Sequence, residues 1–446
     1  MFKGVFFLVS FFGWMSVFAQ PNDPLPRKAF FGAAFQPSNG HLIIDYIAET
    51  GTAAQLNLKV GDRLDALNGT AITQVDDLYA VIDRSAAGDR VEVTVLRDGQ
   101  SRTESGSFVG RPLETSTLSD VVYDAAPYKD GLLRVIINKP RIEGKHPAML
   151  FIPGYTCSSI DNLTDDHPYK RIVDAFAAEG YVTLRIEKSG LGDSRNTPKC
   201  ESCDLLDEVE NFEAGLRKLK SLPYVDTTRI IVFGHSMGGI IAPALSAKNN
   251  VAGVVVYGTT AKSWFEYQIE MHRVQTALTG VSPLEVEEYV RSQYELNYRF
   301  FVKNEPLSEI AKGKQEDELL RTAWGWDGDG MIFSRNAEYW RQIQSYPHLQ
   351  NWASTSADVL VLFGESDFQA FSLADHQQIV DAVNFPDGNR ARLVTFAETD
   401  HYFAKVGNMQ DAFNLFATAQ YQALFNAYNF AVGTTAVEWS NEVLGR

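Results

Sequence analysis

The sequence predicts an α/β protein with a mostly parallel sheet, preceded by a smaller β-rich domain. Three observations carry this. From about residue 118 onward, apolar runs of strand length alternate with segments of helical periodicity, the pattern of βαβ units. Before residue 111 the pattern is different: short alternating runs separated by turn residues, with one helical stretch. The alternation of the second region lapses between about residues 262 and 356, where helical, aromatic-rich sequence fills a gap too long for a loop. With 446 residues the chain can form two or three domains.

Composition is that of a soluble globular protein, 45 % hydrophobic and 22 % charged. The net charge of −16, with nothing resembling a Lys/Arg-rich phosphate footprint, argues against nucleic acid as a partner. Residues 1–19 read as a signal peptide. Lys3 gives a positive start, residues 4–18 are apolar, and Val17-Phe18-Ala19 places small residues at the −3 and −1 positions of a cleavage site. The run is shorter than the roughly 20 residues a membrane span needs, and no second such run follows. The expectation is an exported protein, periplasmic or secreted, that does not span a membrane after signal cleavage; an uncleaved anchor is the alternative. Three cysteines, Cys157, Cys200 and Cys203, allow one bridge and one leftover thiol. Cys200-x-x-Cys203 lacks the second ligand pair of a structural zinc site.

Residues 20–28 are Pro-rich and polar and read as a linker. In the first domain, residues 29–111, alternation over 42–47 and 91–96 signals half-buried strands, and Arg97-Asp98-Gly99-Gln100 a hairpin turn. Residues 74–85 carry Val75, Leu78, Val81 and Ile82 at helical spacing. Between them stand Gly51-x-x-Ala54, Gly61-Asp62 and Asn68-Gly69. This pattern resembles the core of a bacterial-type PDZ domain. Phe31, Gly32, Ala33 and Ala34 sit where such domains carry the loop that captures a peptide C-terminal carboxylate, with Ala33 and Ala34 where a Leu and a second Gly are usual. The resemblance implies backbone N–H groups beside a sheet edge, to which a peptide strand adds; a packing module with an unused groove is the other reading. Residues 112–117 follow as an interdomain linker, in a stretch rich in Gly, Ser, Thr and Pro.

In the second domain, residues 118–446, strands are predicted over 132–138, 148–152, 181–186, 229–233 and 251–257, and helices over 169–179 and 205–222. The strand at 229–233 runs into Gly234-His235-Ser236-Met237-Gly238-Gly239, and residues 240–246 read as a helix. Strand, Gly-x-Ser-x-Gly turn and helix together make a nucleophile elbow, in which glycines relieve a strained turn and the serine hydroxyl projects from the strand end. Two later strands supply partners. Residues 358–363 end in Gly364-Glu365-Ser366-Asp367, and residues 392–396 are followed by Ala397-Glu398-Thr399-Asp400-His401. Ser236, Asp367 and His401 therefore all lie past strand C-terminal ends, which share one rim in a parallel sheet. A serine hydroxyl needs an imidazole to take its proton, and the imidazole needs a carboxylate to hold its tautomer. Among rivals, His235 precedes the nucleophile and points away, Asp358 begins its strand, Asp400 abuts His401, and Glu365 is the closest competitor to Asp367.

The order Ser, Asp, His in these contexts resembles the α/β-hydrolase superfamily over about residues 118–446. The resemblance implies an α/β-hydrolase fold, and the helical segment over about 262–356 reads as a cap inserted over the mouth of the active site; an unusually long crossover is the alternative. The resemblance places the oxyanion hole at the backbone N–H groups of Tyr155, in Pro153-Gly154-Tyr155, and Met237. It also makes the loops bearing Cys157 and Cys200 neighbours, which favours a Cys157–Cys200 bridge; Cys203 is the alternative partner. Glu187-Lys188-Ser189-Gly190-Leu191-Gly192-Asp193-Ser194 is similar to the Gly-x-Gly-x-Ser loop of capped serine aminopeptidase-type and lysophospholipase-like hydrolases. The implied function is an exported serine hydrolase that cleaves a carboxylic ester or amide through an acyl-enzyme, with no metal or organic cofactor. The alternatives are a peptidase fed by the PDZ-like domain and an inactive PDZ adaptor.

Overall fold

The computed structural model of the chain describes residues 23–38 and 40–446; the signal peptide expected over residues 1–19 lies outside them. Six antiparallel strands form the first sheet: β1 (Ala33–Ser38), β2 (His41–Ile47), β3 (Arg63–Leu67), β4 (Thr70–Ala71), β5 (Arg90–Arg97) and β6 (Gln100–Ser107). Their order is β1-β2-β3-β5-β6, with β4 beside β3, so β1 is an edge strand. Helices α1 (Thr52–Gln55) and α2 (Val75–Ile82) complete the unit. Period-two alternation sets the burial: Val91, Val93 and Val95 enter the core while Arg90 and Glu92 face water. Asp98 and Gly99 both have positive φ, 53° and 75°, as a two-residue turn between twisted strands requires. At the start of α2, the Asp77 carboxylate accepts the amides of Thr73 and Gln74, and Leu78, Val81 and Ile82 face inward.

The second sheet has eight strands: β7 (Asp120–Tyr128), β8 (Gly131–Lys139), β9 (His146–Ile152), β10 (Val182–Ile186), β11 (Val225–His235), β12 (Gly253–Tyr257), and, past a hairpin of β13 (Met331–Ile332) and β14 (Arg335–Asn336), β15 (Asp358–Gly364) and β16 (Ala391–Phe396). The order is β16-β15-β12-β11-β9-β10-β8-β7. All neighbours are parallel except β10–β8 and β8–β7. Strand β7 is absent from the sequence reading, because Asp120, Asp124 and Pro127 break up its apolar residues.

Both faces of this sheet are covered, which is why its strands read as unbroken apolar runs. Met149, Phe151, Ile231, Phe233, Val255, Leu360 and Leu362 pack on one side against α3 (Pro168–Ala178) and α15 (Phe430–Val443). Leu150, Ile152, Val232, Val254, Val256, Val359 and Val361 pack on the other, with α4 (Leu205–Ser221), α5 (Gly238–Lys248) and α12 (Leu373–Asn384). Between β12 and β15 the chain makes a helical excursion through α6 (Trp264–Leu278), α7 (Pro283–Asn297), α8 (Leu307–Ile310), α9 (Lys314–Ala323), α10 (Ala337–Ser345) and α11 (His348–Ser354). Helices α13 (Met409–Ala417) and α14 (Tyr421–Asn426) follow β16.

The segments read as linkers are fastened down. Asp23 meets the fully buried Arg134 at 2.6 Å, Leu25 is buried, and Arg27 pairs with Asp161 at 2.7 Å and with Asp193. Glu114 holds the buried Arg185 at 2.6 Å. Polar composition marks such segments as connectors but cannot show which of their charges neutralise arginines buried in β8 and β10.

Candidate active site

The turn after β11 carries Ser236 at φ 55°, a left-handed conformation unusual for a side chain with Cβ. Two contacts hold it there. Its amide donates to Tyr257 O at 2.9 Å, and Gly238 lies so close to β9 that an added Cβ would sit 2.2 Å from Ile152 O. Only glycine fits at that crossing. Met237 follows Ser236 as the cap of α5, at the positive end of the helix. Neither its amide nor that of Tyr155 donates to another group among the described residues.

Asp367, past the end of β15, is fully buried. One carboxylate oxygen accepts His401 Nδ1 at 2.7 Å; the other accepts the amides of Gln369 and Ala370 at 2.8 and 2.7 Å. Burial opposes ionisation, but the His401 interaction and the two amides outweigh it and hold this carboxyl below its ordinary range. Beneath the pair lies Gly258, at φ 62°, whose Cβ would fall 3.0 Å from both Asp367 Oδ2 and His401 Nδ1. Ser236 and His401 line one cavity of about 210 Å³, and no hydrogen bond joins them in this structure. Hydroxyl-to-imidazole contacts often tighten only when substrate is bound. The cavity wall is aromatic and apolar, with Tyr155, Trp264, Tyr267, Phe333, Trp340 and Phe368 among its residues.

The rivals fall elsewhere. His235 accepts or donates between Tyr169 Oη at 2.8 Å and His401 O at 2.9 Å; burial and the neighbouring His401 hold it far below the ordinary imidazole range. It props the His401 backbone and stays neutral. Asp400 folds back onto its own turn, accepting the amides of Tyr402 and Ala404, while Asp358 begins β15 at the opposite end of the sheet and Glu365 is exposed.

A disulfide joins Cys157 to Cys200, and Cys203 is a buried free thiol. Phe31 is 4 % exposed, part of the first domain's core, and with Gly32, Ala33 and Ala34 it borders a cleft of about 670 Å³. That cleft is also lined by Leu78 of α2 and by Gly190–Asp193 and Cys200 of the second domain. Among the described residues, no group of three or more His, Cys, Asp or Glu is placed to hold a metal ion, and no helix is long and apolar enough to cross a membrane. Three contributors to the site were not foreseen from the sequence: Gly258, Lys188 and Arg335. Glycine alone is too common to flag. Lys188 and Arg335 lie 147 positions apart, and only the fold brings them to the Gly154-Tyr155 loop.

A family model described as "Alpha/beta hydrolase family" matches residues 149–412, and one described as "PDZ domain" matches residues 29–105. Esterase FrsA of Photorhabdus laumondii is 29 % identical over 111 residues, covering 24 % of this chain and 25 % of that protein. A probable periplasmic serine endoprotease DegP-like of Halomonas elongata is 29 % identical over 134 residues, 30 % of this chain and 27 % of that protein. The chain thus spans about a quarter of the length of these curated relatives. Among solved structures, Est1E from Butyrivibrio proteoclasticus with ferulic acid bound is 17 % identical, with a TM-score of 0.41; the match covers 67 % of this chain and 99 % of that one.

Proposed function

The chain belongs to the alpha/beta hydrolase family, with a PDZ domain at residues 29–105, and on that premise we propose that it is an exported serine hydrolase of carboxylic esters. The observation that carries this is the buried Asp367–His401 hydrogen bond of 2.7 Å, opening onto the same apolar cavity as the strained Ser236. Asp367 fixes His401 with Nδ1 protonated, leaving Nε2 free to take the Ser236 proton as Oγ attacks the ester carbonyl. The amides of Tyr155 and Met237, free of other acceptors, receive the tetrahedral oxyanion. His401 then protonates the leaving alcohol, and water repeats the sequence on the acyl-enzyme.

Residues 118–446 serve as the hydrolase domain and about 262–356 as its cap, since Trp264, Phe333 and Trp340 of that excursion wall the cavity. An aromatic wall favours an ester with an apolar acyl part. A second reading, a peptidase, is favoured by the PDZ domain and by the amides of Phe31 and Gly32, which donate to no group among the described residues and would take a peptide C-terminus. Export agrees with a disulfide that persists outside the cytoplasm.

A fluorophosphonate probe tests the mechanism. It is expected to label Ser236 in the intact protein and not in Ser236→Ala, and Ser236→Ala is expected to lose at least about 10⁴-fold in kcat. Unlabelled wild-type protein would overturn the hydrolase reading. Comparison of kcat/KM on p-nitrophenyl acyl esters and on aminoacyl anilides separates the two substrate classes; an anilide preference would put the peptidase first.

A further inference from the structure

We infer that Lys188 is a positioning residue for the oxyanion site: its ammonium grips the carbonyl of the very peptide group whose N–H is the Tyr155 donor. The inference rests on the assignment of the Tyr155 and Met237 amides given above. Gly154 C=O and Tyr155 N–H belong to one planar trans peptide and point in opposite directions. Lys188 Nζ donates to Gly154 O at 2.5 Å, so holding the oxygen from one side fixes the direction of the N–H on the other. Gly154 itself abuts the nucleophile: a Cβ placed on it would lie 3.4 Å from Ser236 Cβ and 3.7 Å from Oγ. A positive charge on the carbonyl oxygen also polarises the peptide and strengthens its N–H as a donor.

The next carbonyl is held in the same manner. Arg335 of β14 donates to Tyr155 O at 2.7 Å. The two cations share one carboxylate, Glu208 of α4, at 2.5 Å from Lys188 and 2.8 Å from Arg335, and all three side chains are at most 4 % exposed. Two cations against one anion leave a net positive charge behind the loop. Other acidic groups nearby are engaged elsewhere: Glu187 with Ser159 and the Ile160 amide, Asp207 with Lys129. Cys203 and Tyr339, which also face the cluster, are kept neutral by burial. Apolar side chains of similar size usually stabilise a core as well as a buried ion cluster does. They cannot grip two successive carbonyls of a loop. Burial lowers Lys188 to about 8, with Glu208 opposing the shift and Arg335 adding to it, so its charge is lost just above neutral pH.

The test uses the full-length enzyme. If fluorophosphonate fails to label wild-type Ser236, both this inference and the hydrolase reading fall; the results below bear on this inference alone. Lys188→Met is expected to lower kcat on p-nitrophenyl esters about 10- to 100-fold with KM within about threefold, since the lost interaction belongs to the transition state. Affinity for a phenylboronic acid, whose tetrahedral adduct places an oxygen in the same hole, is expected to fall by the same factor. In the wild type, kcat is expected to decline above about pH 8. That limb should vanish in Lys188→Met and move to lower pH in Glu208→Gln, where the counter-charge is gone. A kcat for Lys188→Met within threefold of wild type, or a loss confined to KM, overturns the inference. Should Lys188→Met fail to fold, an alkaline limb unmoved in Glu208→Gln overturns it equally.

Discussion

Glu187 and Lys188 are adjacent, both buried, and shifted in opposite senses by the same cause. Burial penalises whichever form is charged, so it raises the Glu187 carboxyl to about 7 despite the bonds from Ser159 and Ile160, as it lowers Lys188. The fold therefore binds a proton at Glu187 more tightly than the unfolded chain, where the ordinary value is 4.5. Stability from this group is complete below about pH 4.5 and is lost as pH rises towards 7. Asp400, raised to about 7 chiefly by burial, adds a second loss over a similar window. In Glu187→Gln the amide takes the place of the protonated acid, donating to Ser159 and accepting from Ile160. Urea denaturation across pH 4.5 to 7.5 is expected to show a shallower decline in the variant, with a difference of up to about 3 kcal/mol at the alkaline end. Neither shift was legible in Glu-Lys-Ser-Gly as a string. The motif marks a loop; burial, which decides the charge state, comes from Ile160 and α4 packing over it.

Among elements, the loop after β9 has the most demanding task, since it carries Tyr155 without regular structure of its own. Besides the Lys188 and Arg335 contacts, it is tied by Cys157–Cys200 to the loop after β10, across 43 residues of chain. Closing a loop of that length costs the unfolded chain about 4 kcal/mol in the entropy model. Cys157→Ser is expected to lower stability by about 2–4 kcal/mol, read by thermal or denaturant unfolding. A larger fall in kcat than in the reciprocal of KM should accompany it, because the loop that carries the proposed oxyanion donor is loosened while the apolar cavity stays. The element boundaries themselves were largely readable: β11, α5 and β15 lie within a few residues of their expected ranges. Their apolar periodicity is dictated by burial on both faces of a sheet, a local signal. Strand β7 escaped notice because its two acids and a proline are tolerated at the sheet edge, and edge position is not a local property.

At the scale of the whole molecule, Asp193 of the Gly-Leu-Gly-Asp-Ser loop is the joint between the domains. It accepts the Lys28 amide at 2.8 Å and pairs with Arg27, both at the entry to the first domain, and with Arg134 of β8 at 3.0 Å. Removing one partner from a buried charge set leaves the others uncompensated, at about 3–5 kcal/mol. Asp193→Asn is expected to lower the unfolding temperature and, in calorimetry, to split a single transition into two as the PDZ domain uncouples from the hydrolase. A single unshifted transition would show that the joint carries no stability. The same loop borders the cleft that Phe31–Ala34 also line, so residues of both domains form its walls.

What the sequence by itself determined is the family and the order of parts. Gly-x-Ser-x-Gly after an apolar run, an aspartate after a second and a histidine after a third single out the residues proposed as a triad, because each signal is local: a strand, its end, and one residue type. The PDZ domain was legible for the same reason, through Gly-Asp and Asn-Gly at fixed turns. The tertiary structure alone decided which charges are buried and what they hold. Arg335 lies 147 positions from Lys188, and Arg27 and Arg134 reach Asp193 from separate segments; nothing in the immediate neighbours of these residues distinguishes them from surface charges. Local pattern follows from backbone geometry and hydrophobic period, which a string displays. The worth of a charge follows from its desolvation and its partners, which exist only once the chain has closed around it.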